Sequence, residues 1–288
     1  MSSLDTFDVV IPAYNSREQV SNAVSSAFAA GADRVIVVDD GSTDDTAEVA
    51  RRAGAEVVSQ KNAGAAAARR SGLQSVAADH VIMLDADDQL VPEGVATSRE
   101  SLADDPELSA VGGSAIGVFA DGREAPVVAN DRTPSLQSLL SQGFAPVPPA
   151  CIVWRTDLLK RALFEAEPEP LLPRYAEDYE MMVRAAMQGP LRFHTDPAAI
   201  YSLEGGKSMQ DPRRSIRSVA HTRQYYSQHI GISVPRWSQR QVEARAALRL
   251  YKNATAWPQR IRYLSKAFAN DPRSMASLGL KRLSRKFR

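Results

Sequence analysis

The stretch FDVVIPAYNSREQVSNAVSSAFAAGADRVIVVDDGSTD, residues 7–44, sets two short apolar runs around one helical pattern. Phe7-Asp8-Val9-Val10-Ile11 reads as a buried strand that Pro12 ends, since proline cannot donate to a ladder. Val20, Ala23, Val24, Ala27 and Phe28 recur at helical spacing, and Gly31 supplies a stop. Arg34-Val35-Ile36-Val37-Val38 is a second strand, rich in β-branched residues. The polar turn Asp39–Asp44 follows, and Thr43 or Asp44 is placed to cap a helix running to about Ala53.

The same rhythm continues outward. Glu56–Ser59 is a third strand, Gly64–Ala78 an alanine-rich helix, and Val81–Leu84 a fourth strand that runs into Asp85-Ala86-Asp87-Asp88. This β-α-β-α-β-α-β order predicts an α/β fold, a mostly parallel Rossmann-like sheet with helices on both faces. Further on, Leu108–Phe119, with Gly112 and Gly113 inside, reads as a strand pair. Residues 134–150, with Pro134, Pro146, Pro148 and Pro149, read as a helix and an irregular loop. Asp178–Met187 suits a helix packed on the core, and from Pro212 the pattern is helical and basic, broken at Pro235, Pro258 and Pro272.

At 288 residues, 44% hydrophobic and 24% charged, the chain is neither disordered nor collagen-like. A single cysteine, Cys151, excludes an intrachain disulfide and fits a reducing cytoplasm. No apolar run approaches the ~18 residues of a membrane span, and Met1–Asp8 does not read as a signal peptide. The expected location is therefore cytoplasmic, with peripheral contact at the inner face of the membrane as its one elaboration. The net charge of +1 hides a division. From Asp211 onward there are 18 Lys and Arg against 3 Asp and Glu, so an acidic body carries a basic tail. Such a tail suits an anionic partner. Lys281–Arg288 mixes cations with Leu283 and Phe287, which suits an anionic membrane surface; a solvated helical extension or a dimer contact is the alternative. No nucleic-acid module is visible.

Ligands of a parallel α/β sheet bind beyond the carboxyl ends of its strands. Three polar clusters stand there: Pro12-Ala13-Tyr14-Asn15, Asp39-Asp40-Gly41-Ser42 and Asp85-Ala86-Asp87-Asp88. Three carboxylates within four residues repel one another unless a cation neutralises them, and their hard oxygens suit Mg²⁺ or Mn²⁺. An EF-hand is excluded by the missing glycine and closing glutamate. Walker A, GxGxxG and GxSxG patterns are missing, and the four histidines show no zinc spacing.

Taken in order, Val9–Asn15, Val38–Asp44, Asn62-Ala63-Gly64 with Ala68-Arg69 and Gly72, Leu84–Asp88, and Ala176–Arg184 closely resemble the motifs of glycosyltransferase family 2. The resemblance spans roughly residues 7–209. It implies a GT-A fold and an inverting enzyme that uses a nucleotide sugar. It implies a nucleotide-sugar-binding half over 1–115, an acceptor-binding and catalytic half over 116–209, and a basic helical extension over 210–288.

By the same resemblance, Pro12, Ala13, Tyr14 and Asn15 line the base and ribose, and Asp40 accepts a hydrogen bond from the base, uridine being favoured. Arg69 lies near the diphosphate; an exposed helix arginine is the alternative. Asp85, Ala86 and Asp87 belong to the donor site; one of Asp87 and Asp88 holds Mn²⁺ or Mg²⁺ and another carboxylate of the motif the ribose, the sequence leaving open which, with Glu204 a further candidate ligand. Asp178 matches the catalytic base, and Glu177 is its neighbouring carboxylate. Glu204 stands where many members carry a metal-binding histidine, and His194 does not fit that register. Arg161–Glu165 replaces the usual Gly-Gly-Phe that shapes the acceptor site. The implied partners are a nucleotide-sugar donor and a glycan or lipid-linked acceptor. A catalytically inactive sugar-nucleotide-binding scaffold and a sugar nucleotidyltransferase are the rival readings.

Overall fold

The apolar runs of the first half become parallel strands. In the computed structural model these are β1 (Phe7–Ala13), β2 (Arg34–Asp39), β3 (Glu56–Ser59) and β4 (His80–Met83). They pair in the order β3-β2-β1-β4, all parallel. The connecting helices are α1 (Val20–Ala29), α2 (Thr46–Arg52) and α3 (Ala65–Ser75). The structure describes residues 5–119, 121–129, 131–203, 211–254, 256–273 and 275–276. Val9, Val10, Ile11 and Val35 through Val38 are fully buried, each contributing roughly 1.5–3 kcal/mol. Strands buried on both faces read as unbroken apolar runs, which is why this half is legible.

Pro12 does not end β1, which runs on to Ala13. The strand pairs with β2 through Ala13 but with β4 only through Val10. The donor that Pro12 lacks would have faced the β4 chain, so pairing stops on that side at Val10 while it runs on with β2. Gly72 lets α3 approach the sheet: a β-carbon there would stand 2.3 Å from the Val10 side chain.

The remaining strands extend the sheet as β4-β8-β6-β9-β5, with β7 paired to β6. They are β5 (Gln89–Leu90), β6 (Ala110–Val118), β7 (Glu124–Val127), β8 (Ile152–Arg155) and β9 (Leu191–Ser202). Here β8 runs antiparallel to both β4 and β6, while β6 and β9 are parallel. The helices of this half are α4 (Pro92–Asp104), α5 (Leu136–Gln142), α6 (Thr156–Lys160) and α7 (Glu177–Ala186). The expected strand pair over 108–119 is instead the single strand β6. Gly112 and Gly113 mark close approach of β9, not a turn: a β-carbon on Gly113 would lie 2.5 Å from the Asp196 carbonyl.

The chain divides into two compact units, Met1–Ser202 and Leu203–Arg288. The second holds α8 (Pro212–His229), α9 (Gln239–Asn253) and α10 (Trp257–Asn270). Pro258 lies in the first turn of α10, where its missing N–H is harmless. No described helix is long and apolar enough to cross a membrane.

His80 is fully buried, and neither ring nitrogen has a hydrogen-bond partner among the described residues. Burial lowers its pKa, aided by Arg155 and Arg99 and opposed by Asp5 and Asp79. A histidine depressed below its unfolded value of about 6.5 stabilises the fold above that pH, and the contribution is lost as pH falls through the folded pKa. The melting temperature is therefore expected to drop between pH 7 and pH 5, less steeply in His80→Phe. Thermal melts across that range check this; an unchanged slope in the variant refutes it.

Candidate active site

Because β1, β2 and β4 are parallel neighbours, their carboxyl ends share one edge of the sheet. That edge gathers Pro12–Asn15, Asp39–Ser42 and Asp85–Asp88, as the strand-end rule expects. The first two loops brace each other. Asn15, at φ 50°, donates its N–H to the Ser42 hydroxyl (3.0 Å), and its side-chain oxygen accepts the Thr43 N–H (2.9 Å). The Ala13 carbonyl accepts the Asp40 N–H at 2.8 Å. Tyr14 is 46% exposed, so its ring is free to cover a flat ligand.

Asp40 is buried and already engaged. Its Oδ1 accepts the Gln60 amide and the Ala63 N–H, and its Oδ2 accepts the Gly64 N–H, each at 2.8 Å. A carboxylate has about four lone-pair sites, so Oδ2 keeps one for a ligand N–H. The sequence reading passes over Gln60, which also accepts the Ser71 hydroxyl at 2.6 Å. It stands one residue past the end of β3, so the strand-end rule already points to it.

Arg69 is no surface arginine. Its guanidinium is buried, donating to Asp85 Oδ1 at 2.5 Å and to Glu177 Oε1 at 3.1 Å. One side chain of α3 thus joins the β4 loop to the start of α7. Burial alone would lower its pKa, but Asp85, Glu177 and Asp178 more than offset this, so it stays charged. Asp88 is buried, and the backbone N–H of Ser202 reaches its carboxylate. Burial, then the charges of Asp85 and Asp87, push its pKa up to about 9. Asp87 is raised by desolvation and by Asp85. Glu177 is raised by desolvation and by Asp178 and Asp85, against Arg69.

Five carboxylates therefore crowd one guanidinium. The excess negative charge and hard oxygen donors fit a divalent cation, and within the Asp85–Asp88 loop Arg69 bonds Asp85, which leaves Asp87 and Asp88 as the candidate ligands. Among the described residues, no three His, Cys, Asp or Glu side chains would cage an ion alone. Glu204 lies outside the described residues. His194 bonds the Ser98 hydroxyl at 2.8 Å.

Asp178 sits half-buried in the first turn of α7, its Oδ1 accepting the Tyr179 N–H at 2.8 Å. Ala176, at φ 62°, turns the chain into that helix. Two buried charges further along α7 hold the preceding loop. Glu180 accepts the N–H groups of Leu171 (2.6 Å) and Leu172 (2.9 Å). Arg184 donates to the carbonyls of Ala162 (2.5 Å), Pro168 (2.5 Å) and Ala166 (2.6 Å). This clamp grips the segment where the sequence departs from the family pattern. Two hollows of about 660 and 590 Å³ open at the opposite edge of the sheet, beside the starts of β6 and β4, away from these groups.

Comparison with known proteins agrees with this geometry. Residues 8–162, more than half of the chain, match the model of glycosyl transferase family 2. The glycosyltransferase AglJ of Haloferax volcanii is 38% identical over 88 residues, 30% of this chain and 29% of that protein. The uncharacterized glycosyltransferase YaiP of Escherichia coli is 30% identical over 173 residues, 54% of this chain and 42% of that protein. The chain thus spans less than half the length of these curated relatives. The crystal structure of S. aureus TarS 1-349 in complex with UDP-GlcNAc aligns with a TM-score of 0.59 at 19% identity, over 95% of this chain and 83% of that one, which supports the fold. With five motifs meeting at one strand edge and the family model covering most of them, the chain belongs to glycosyl transferase family 2.

Proposed function

We propose that the protein is an inverting, metal-dependent glycosyltransferase that moves a sugar from a nucleoside diphosphate sugar, UDP-linked by preference, to a hydroxyl acceptor in surface polysaccharide or glycan synthesis. The observation that carries this is the buried Arg69 bridge, which sets the Asp85–Asp88 loop against the start of the Asp178 helix. Two matched relatives are a succinoglycan biosynthesis protein of Rhizobium meliloti and an undecaprenyl-phosphate 4-deoxy-4-formamido-L-arabinose transferase of Sodalis glossinidius, which support the glycan setting.

In this reading Tyr14 covers the base, and the free lone pair of Asp40 Oδ2 accepts its ring N–H. Asp87 and Asp88 would hold Mn²⁺ or Mg²⁺, which when bound would supply charge stabilisation to the departing diphosphate. Arg69 keeps Asp85 and Glu177 in place and adds positive charge beside the diphosphate. Asp178 takes the proton from the acceptor hydroxyl. The acceptor oxygen forms its bond to the anomeric carbon on the face opposite the diphosphate. The old carbon–oxygen bond breaks with its electron pair on the diphosphate oxygen, so the anomeric centre inverts.

Calorimetric titration with UDP, GDP, dTDP and CMP, with and without Mn²⁺, tests this. Metal-dependent binding of UDP over the others is the expected result. Binding of none under either condition overturns the donor site. Release of pyrophosphate instead of a nucleoside diphosphate during turnover would point to a nucleotidyltransferase.

A further inference from the structure

Helix α10 carries a stripe of exposed apolar side chains among the described residues. Trp257 is 70% exposed, Ile261 47%, Leu264 41% and Phe268 54%. Their spacing of four, three and four residues stacks them on one face at ~100° per residue. A flanking face, about 90° round the helix from the stripe, packs on α9 and buries Ala267. Large aliphatic and aromatic side chains aligned in this way on a 14-residue helix are not the scattered apolar residues of an ordinary surface.

The surroundings are cationic. Arg262 and Lys266 are exposed on the same helix, and Arg213, Arg214, Arg217, Arg236 and Arg240 are exposed elsewhere in this unit. From Asp211 onward the chain carries 18 Lys and Arg against 3 Asp and Glu. A second copy of the same unit would bring like charge to like, which opposes self-pairing at low salt. An anionic lipid surface complements both features: the cationic excess of this unit draws it to the headgroups, and the acyl boundary takes the stripe.

We infer that α10 is a membrane-surface docking helix, which inserts Trp257, Ile261, Leu264 and Phe268 into the outer layer of an anionic bilayer. The element with the clean apolar face is thus α10, upstream of the basic segment Lys281–Arg288, which lies outside the described residues. The inference does not depend on which donor the transfer site takes.

The tryptophans make it measurable. Of the three, Trp154 is buried and Trp237 is stacked between Arg223 and Arg245 at 4.0 Å each, so Trp257 alone can enter lipid without unfolding. The full chain is mixed with phosphatidylcholine vesicles containing phosphatidylglycerol, and with pure phosphatidylcholine vesicles. Co-sedimentation with the anionic vesicles and a blue shift of emission are expected. The shift is lost in Trp257→Phe with binding retained. Trp257→Ser with Phe268→Ser should weaken partitioning by about tenfold or more, given that binding scales with buried apolar area. Three outcomes overturn the inference. One is no binding to anionic vesicles. Another is binding with no blue shift that the double variant keeps, which assigns adhesion to charge alone. The last is a dimer in light scattering that the double variant dissolves, which assigns the stripe to a second copy.

Discussion

Asp178→Asn is expected to keep donor binding and lose transfer by ~10²–10⁴-fold, the usual contribution of a general base. The substitution is nearly isosteric. Asparagine can still accept the Tyr179 N–H through its side-chain oxygen, so the first turn of α7 keeps its shape. What it cannot do is take a proton from an acceptor hydroxyl. Initial rates of nucleoside diphosphate release, with donor affinity measured alongside, separate the two effects. Transfer near the wild-type rate would remove Asp178 from its role. Glu177→Gln should behave differently, because it weakens the contact to Arg69 and disturbs donor and acceptor sides together.

Arg184→Ala is expected to cost on the order of 3–5 kcal/mol, the penalty typical of breaking a buried charged network. Three carbonyls would lose their donor, and Glu180 would stay buried on the same helix. For a unit of this size the melting temperature should fall by roughly 10 °C. Arg184→Lys should recover only a part, because an ammonium cannot reproduce the planar fork that reaches three acceptors. A melting temperature within about 2 °C of wild type for Arg184→Ala would refute this account of the clamp.

The parallel half was legible because each strand is a short, unbroken apolar run followed by a helical period. The strand-end rule then located Asn15, Asp40, Asp85 and Asp88 without coordinates. The second half was harder. β8 is a short apolar strand whose partners β4 and β6 lie far away in sequence, and antiparallel pairing leaves no local mark. Two adjacent glycines suggested a turn because close backbone approach has the same residue signature. Arg69 showed itself as a motif residue, but its bridge over 108 positions to Glu177 needed the fold. Arg184 and Glu180 bind main-chain groups of the preceding loop, a role that residue types alone do not announce.

That last property bears on how the enzyme could be retargeted. The clamp on residues 162–172 takes hold of peptide carbonyls and amides. Such a grip is blind to the side chains of the segment that it holds. The exposed positions Glu165 and Glu167 can change identity without loosening the loop, whereas Leu163 and Pro168 are buried, while the helix that carries Asp178 stays constant. On the proposed transfer function the arrangement works as a fixed socket with an exchangeable insert, so libraries confined to Glu165, Glu167 and their exposed neighbours would be the economical place to select for new acceptors.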